Sequence, residues 1–220
     1  MSNFEHLCDE VTTLLDGINR YNPQNSELFE EYVQAQVHEN RYDLDANIAL
    51  LKLYQLNPEK YNEQITVLIL LKALMQLPEA DFVIAKCLID QAHINEPALQ
   101  SVLKFGDLLE TCMFETAWQA MRENPHLFSE IRGFPEAMRE FICHVVSITY
   151  QHIHMNLLKR LFGIAEDEEM KKICSLRKWK VVDDEYVHIS NMEDTVKSRN
   201  IAEKIDFHSE LCIFIDVINK

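Results

Sequence analysis

Apolar residues recur at helical spacing from the start of the chain. Leu7, Val11, Leu14, Leu15 and Ile18 follow the i, i+4, i+7, i+8, i+11 pattern of a helix with one buried face, and Gly17 with the Asn22-Pro23 step closes it. The Asn-Pro step returns at Asn57-Pro58 and Asn124-Pro125. Asn caps orphan amides and Pro at the first helical position loses no hydrogen bond, so each step predicts a helix restart. Between these marks the pattern predicts helices over 25–39, 43–56, 59–77, 79–93, 97–110, 112–123 and 134–153. In the second of these, Leu44, Ile48 and Leu51 form one stripe while Leu50, Leu53, Tyr54 and Leu56 cover the other sides. The third is similar, with Val67, Leu70, Leu71 and Leu74 on one stripe and Ile65, Leu68 and Ile69 on another. Helices apolar all round are buried on more than one face, as inner members of a stacked array are. The prolines at 23, 58, 78, 97 and 125 are unevenly spaced and no tetratricopeptide pattern appears, so the predicted array is irregular and HEAT-like.

Beyond residue 154 the pattern compresses. A short helix over 156–162 stops at Gly163 and a second covers 166–177. Two strands, 178–182 and 186–189, follow, joined through Asp183-Asp184-Glu185. Helices followed by a β-hairpin are the order of a winged helix, a variant of helix-turn-helix architecture. The last segment places Phe207, Leu211, Phe214, Ile215 and Ile218 on one helical stripe, although the run 211–215 also fits a strand. The expected architecture is therefore mainly α. It comprises a HEAT-like helical-hairpin array over 1–132, a winged-helix module over 133–194 and a C-terminal helical segment over 195–220.

Composition narrows the class. With 220 residues, 47% of them hydrophobic, and only 4 Gly, the chain has material for a sizeable core. Its longest apolar run, 67–71, stops at Lys72, far short of the roughly 20 residues of a membrane span. The first residues carry no basic flank followed by an apolar stretch, so the expectation is a cytoplasmic protein with no membrane contact. Cys8, Cys87, Cys112, Cys143, Cys174 and Cys212 lie widely apart and read as reduced, helix-face cysteines. The net charge of -15 is uneven. Residues 133–220 hold 12 basic against 15 acidic side chains, or -3, which leaves -12 for residues 1–132. Nucleic-acid affinity rests largely on neutralising phosphates with Lys and Arg, so the array is not expected to bind nucleic acid.

Candidate chemistry is sparse. Cys143-His144, His152 and His154 come nearest to a metal cluster, with His144 and His152 on one face of the predicted helix, but they lack zinc-site spacing. They read as packed or hydrogen-bonded, and so do the isolated His93, His126 and His188. Asp107 with Glu110, and Glu136 with Glu140, sit at helical spacings expected of solvated faces rather than of acid–base pairs. Four scattered glycines allow no phosphate loop, and no nucleophile signature is visible. No catalytic, cofactor-binding or metal-binding residue and no small-molecule substrate is expected.

The winged helix offers two binding surfaces. Its candidate recognition helix opens with Glu166-Asp167-Glu168-Glu169, at the end that normally meets bases. At the other end, Lys171, Lys172, Arg177, Lys178 and Lys180 make a basic cluster, and RNA contact through Lys171, Lys172, Lys178 and Lys180 is the alternative function. The hairpin residues Trp179, Val181, Val187 and Ile189 alternate as a strand pair with one face on helices. Open hairpin edges accept another chain's strand. The partner-binding candidates are accordingly Trp179, Val181, Tyr186, Val187 and Ile189, then Leu211, Phe214, Ile215 and Ile218.

Several long blocks carry a resemblance. Asn19-Arg20-Tyr21-Asn22-Pro23, Asn40-Arg41-Tyr42-Asp43-Leu44, Lys86-Cys87-Leu88-Ile89-Asp90-Gln91-Ala92-His93, Gly106-Asp107-Leu108-Leu109-Glu110-Thr111-Cys112 and Asn200-Ile201-Ala202-Glu203-Lys204-Ile205-Asp206-Phe207 are among them. So are Phe141-Ile142-Cys143-His144-Val145-Val146 and Thr149-Tyr150-Gln151-His152-Ile153. The chain closely resembles the subunit K family of eukaryotic translation initiation factor three, of PCI type. The resemblance implies a HEAT-like domain fused to a winged helix. It also implies a non-catalytic role in a large complex on the small ribosomal subunit, with the L subunit as direct neighbour. It is weakest over 155–197 and beyond His208.

Overall fold

The computed structural model describes residues 3–182 and 185–190. Met1–Ile189 form one compact unit. The predicted segment 195–220, with Leu211, Phe214, Ile215 and Ile218, lies outside the described residues.

The helical part runs α1 (Asn3–Leu15), α2 (Ser26–His38), α3 (Leu44–Leu56), α4 (Glu63–Leu74), α5 (Asp81–Cys87), α6 (Pro97–Glu110), α7 (Phe114–Glu123), α8 (Pro125–Phe128) and α9 (Phe134–Thr149). The wing follows as β1 (His152–His154), α10 (Met155–Phe162), α11 (Asp167–Leu176), β2 (Lys180–Val182) and β3 (Tyr186–His188). Among the described residues the chain is mainly α, as expected, with one small antiparallel sheet.

Local chemistry sets most of the boundaries. Asp43 and Asn62 accept from the amides of Ala46 and Ile65 and so start α3 and α4. The Asn22-Pro23 and Asn57-Pro58 steps each open a short 3-10 turn ahead of the next helix. Gly17, at φ 120°, ends the first helical segment early and turns Ile18 outward, 85% exposed. The predicted buried stripe of α1 therefore stops before Ile18.

The array packs in two layers. α2, α4 and α6 lie side by side in one, α1, α3 and α5 in the other. α4 is the inner helix of the stack, and every residue from Ile65 to Leu74 is buried, Lys72 included. The Lys72 ammonium donates to Asn40 Oδ1 at 3.0 Å, and burial holds its pKa below the ordinary lysine value. Gly106 on α6 gives room to the fully buried ring of Phe82 on α5, where a Cβ would overlap that ring. Gly106→Ala is therefore expected to destabilise by about 1–3 kcal/mol despite alanine's better helix propensity, a loss that urea unfolding measures.

Two predicted helices end early. The helix expected over 79–93 ends at Cys87. The chain then turns, with Asp90 accepting from the Ala92 amide and His93 stacked on Tyr61 at 3.6 Å between ring centroids. The helix expected over 134–153 ends at Thr149, because Tyr150 adopts extended backbone at φ -114°, ψ 136° and the chain enters β1. His152 and His154 therefore lie on a strand, not on a helical face with His144. The two-stranded hairpin becomes a three-stranded sheet.

Candidate functional site

The sheet order is β1-β3-β2, with both neighbours antiparallel to β3. One register row aligns Ile153, Val187 and Val181; the rows beside it are His152, His188 and Lys180, and His154, Tyr186 and Val182. Side chains alternate across a sheet, so the first row faces one way and the other two face the other. Ile153 and Val187 are buried, whereas Val181 at the edge is 38% exposed. On the opposite face Tyr186 is 48% and Val182 41% exposed. Tyr186 meets His154 edge-on at 5.2 Å, and His188 Nδ1 lies 3.1 Å from His152 Nε2. His188, isolated in sequence, has a histidine neighbour after all.

Trp179 and Ile189 anchor the sheet to the core. Lys178 takes a left-handed conformation at φ 61° after α11, and the Trp179 amide donates to Cys174 O at 2.9 Å, which seats the Trp179 ring edge-on to Phe162. The Ile189 amide donates to Gln151 O at 2.8 Å, and the Met155 amide to Glu185 O at 2.7 Å. Trp179, Val187 and Ile189 are thus buried within this chain, while Val181 and Tyr186 reach solvent. Val182, which sequence reasoning passed over, is exposed beside Tyr186. Its register opposite Tyr186 was the signal available for finding it.

The sheet is tied to the array through α7 and α10. Trp118 donates from Nε1 to Leu161 O at 2.8 Å, and its ring lies against Gly163, whose φ of 64° and missing Cβ allow that approach. Arg160 pairs with Glu115 at 2.8 Å across the same junction.

The charged groups are largely committed to one another. Asp107 and Glu110 both reach Lys86, at 2.6 and 3.8 Å, and the Asp107 hydrogen bond helps raise the lysine pKa. Glu140 pairs with Arg177 and Asp167 with Lys159. Lys171, Lys172, Lys178 and Lys180 are all exposed. Lys171 borders a hollow that mixes Lys159 with Asp167 and Glu185, so that part of the basic cluster is balanced by carboxylates. Burial raises the Cys143 thiol pKa to about 11, leaving it a packed side chain rather than a nucleophile. Among the described residues no three histidine, cysteine or carboxylate groups converge on a metal-sized site, and no helix is long and apolar enough to cross a membrane.

Comparison with known proteins agrees with the sequence blocks. A family profile, the CSN8/PSMD8/EIF3K family, matches residues 60–200. Eukaryotic translation initiation factor 3 subunit K of Homo sapiens is 48% identical over 209 residues, covering 95% of this chain and 96% of that protein. The subunit of the same name from Danio rerio is 46% identical over 208 residues, with 94% and 95% covered. On the extent of these matches, joined to the helical array and its terminal sheet, the chain belongs to the CSN8/PSMD8/EIF3K family, among the K subunits of translation initiation factor 3.

Proposed function

We propose that the chain is a non-catalytic, cytoplasmic scaffold subunit of initiation factor 3 that joins its neighbours through the edge of its sheet. The supporting observation is β2. Among the described residues it is paired only with β3, and Lys180, Val181 and Val182 are all exposed. An open edge with apolar side chains accepts a strand from another chain, with main-chain hydrogen bonds for affinity and side chains for choice. The neighbour this reading names first is the L subunit, and the complex carries both to the small ribosomal subunit. The terminal stripe Leu211, Phe214, Ile215 and Ile218 serves in this reading as a second contact.

The test is a paired substitution, Val182→Asp with Tyr186→Asp, at two exposed positions of one register row. The folded chain is expected to keep its helical circular dichroism while its co-purification with the other subunits falls by at least about tenfold, as losing two contacts of about 1 kcal/mol or more predicts. Unchanged co-purification would sink the edge reading. The second reading, RNA contact through the exposed Lys171, Lys172, Lys178 and Lys180, requires an RNA affinity that falls steeply as salt rises.

A further inference from the structure

The outward face of the sheet brings together two histidines that stand 36 residues apart in the chain. His152 on β1 and His188 on β3 are direct register partners, and their rings lie 4.6 Å apart between centroids with Nε2 and Nδ1 at 3.1 Å. The second nitrogen of each ring is left outside this contact. His152 is exposed and His188 half-buried, so the pair opens to solvent.

From this geometry we propose that His152 and His188 form a two-histidine site for a divalent first-row transition cation, zinc by preference among those available to cells. The distance is the argument. With zinc–nitrogen bonds of about 2.0–2.1 Å, two nitrogens 3.1 Å apart subtend about 98° at the metal, between the square and tetrahedral values. The two strands fix the register of the residues that carry the rings, and the ion takes the place of the hydrogen-bonding proton between the two nitrogens, which leaves to solvent. Water completes the coordination, since among the described residues no third metal-ligating group joins the pair. Lys180 is the charged member of this row, on the far side of His188. Its like charge weighs against hard cations held by charge alone, and leaves the site to ions that bond covalently to imidazole. The bound ion would staple β1 to β3, joining the strand that follows α9 to the hairpin that carries the open edge.

This site is independent of the proposed scaffold role, and its test reads only metal. The full-length chain, stripped with a chelator, is titrated with zinc chloride by calorimetry, alongside His152→Gln, His188→Gln and a control, His144→Gln, at an exposed histidine on α9. One zinc per chain is expected. Either sheet variant should weaken it at least about tenfold, because a lost ligand costs no less than a lost outer-shell partner. The control should bind as the parent does. Acidification should release the ion, since ring protonation competes with it. Because both rings reach solvent, the variants are expected to fold, and circular dichroism checks this. Equal zinc affinity in parent and sheet variants would place the ion elsewhere, on the free thiols for instance, and overturn the proposal. So would the absence of saturable binding in the parent.

Discussion

Above pH 10 the protein is expected to unfold steeply, with four tyrosines ionising in the same step. Burial raises the phenol pKa values of Tyr32, Tyr42, Tyr54 and Tyr61, helped by hydrogen bonds to Cys8, Asp81, Glu30 and Glu96 respectively. The hydroxyls reach those partners at 3.5, 2.9, 2.8 and 3.1 Å, and Tyr32 reaches Asp43 at 3.2 Å as well. In the unfolded chain these phenols ionise near pH 10, and in the folded chain they stay protonated beyond it. The unfolded state then binds fewer protons than the native one, so stability falls as pH rises. Each fully buried phenol contributes a slope approaching about 1.4 kcal/mol per pH unit. Tyr32 and Tyr54 are 2% and 4% exposed and carry the full effect; the half-buried Tyr42 and Tyr61 add less.

Lys72 acts in the opposite direction and earlier. Its lowered pKa means that the native state sheds a proton before the unfolded one does, so stability rises between that lowered value and the ordinary lysine value near 10.4. The raised thiol pKa values of Cys143 and Cys174 oppose this gain over the same range, so urea midpoints measured from pH 8 upward should hold nearly level and then collapse. Ultraviolet absorbance of phenolate should rise together with the loss of helical circular dichroism. Ionisation of these four tyrosines with the helical signal intact would refute the argument.

Removal of the Trp118 side chain is expected to cost about 3–5 kcal/mol, the range for a large aromatic deleted from a packed core. Trp118 is 7% exposed, fills the contact that Gly163 leaves open, and supplies the hydrogen bond to Leu161 O. The Arg139 guanidinium lies over its ring at 5.4 Å, with its Nε buried and unpartnered among the described residues, so the deletion also strips that cation of its aromatic cover. Trp118→Phe keeps most of the volume and loses the hydrogen bond, so it should cost about 1–2 kcal/mol. Equilibrium urea unfolding of both variants checks the pair. A cost below about 1 kcal/mol for Trp118→Ala would mean that the α7–α10 junction is held by other contacts.

The elements that sequence predicted well are those whose signals are local. Helix α3 was expected over 43–56 and is found at Leu44–Leu56, since Asp43 caps it and Leu50, Leu53 and Tyr54 bury it on both sides. Helix α6 needs only Pro97 at its start and its apolar stripe, and its bounds match the expectation. β1 had no such signal. It is three residues long, and what makes it a strand is pairing with Tyr186–His188, far along the chain. Helical periodicity therefore ran through it. The end of α5 was missed for a related reason: no glycine or proline marks Cys87, and the turn that follows is held by the Asp90 side chain and by the distant ring of Tyr61.

The candidate site divides in the same way. Alternation at Trp179, Val181, Val187 and Ile189 was legible, but which of the four would be covered depends on strand order. With β3 central, Val187 is enclosed on both sides while Val181 is left at the rim. Likewise, Arg177 belonged to an apparent basic patch until the fold placed Glu140 beside it.

The tie between α7 and α10 couples the wing firmly to the array. One continuous apolar core runs from Leu7 in α1 to Ile189 after β3, so the array cannot swivel freely behind the sheet. On the proposal that a partner pairs with β2, that partner would aim a helical block whose first 132 residues carry a charge of -12. Attachment at that three-residue strand would then dictate which way the negative field points, and so which surfaces of the surrounding assembly it repels.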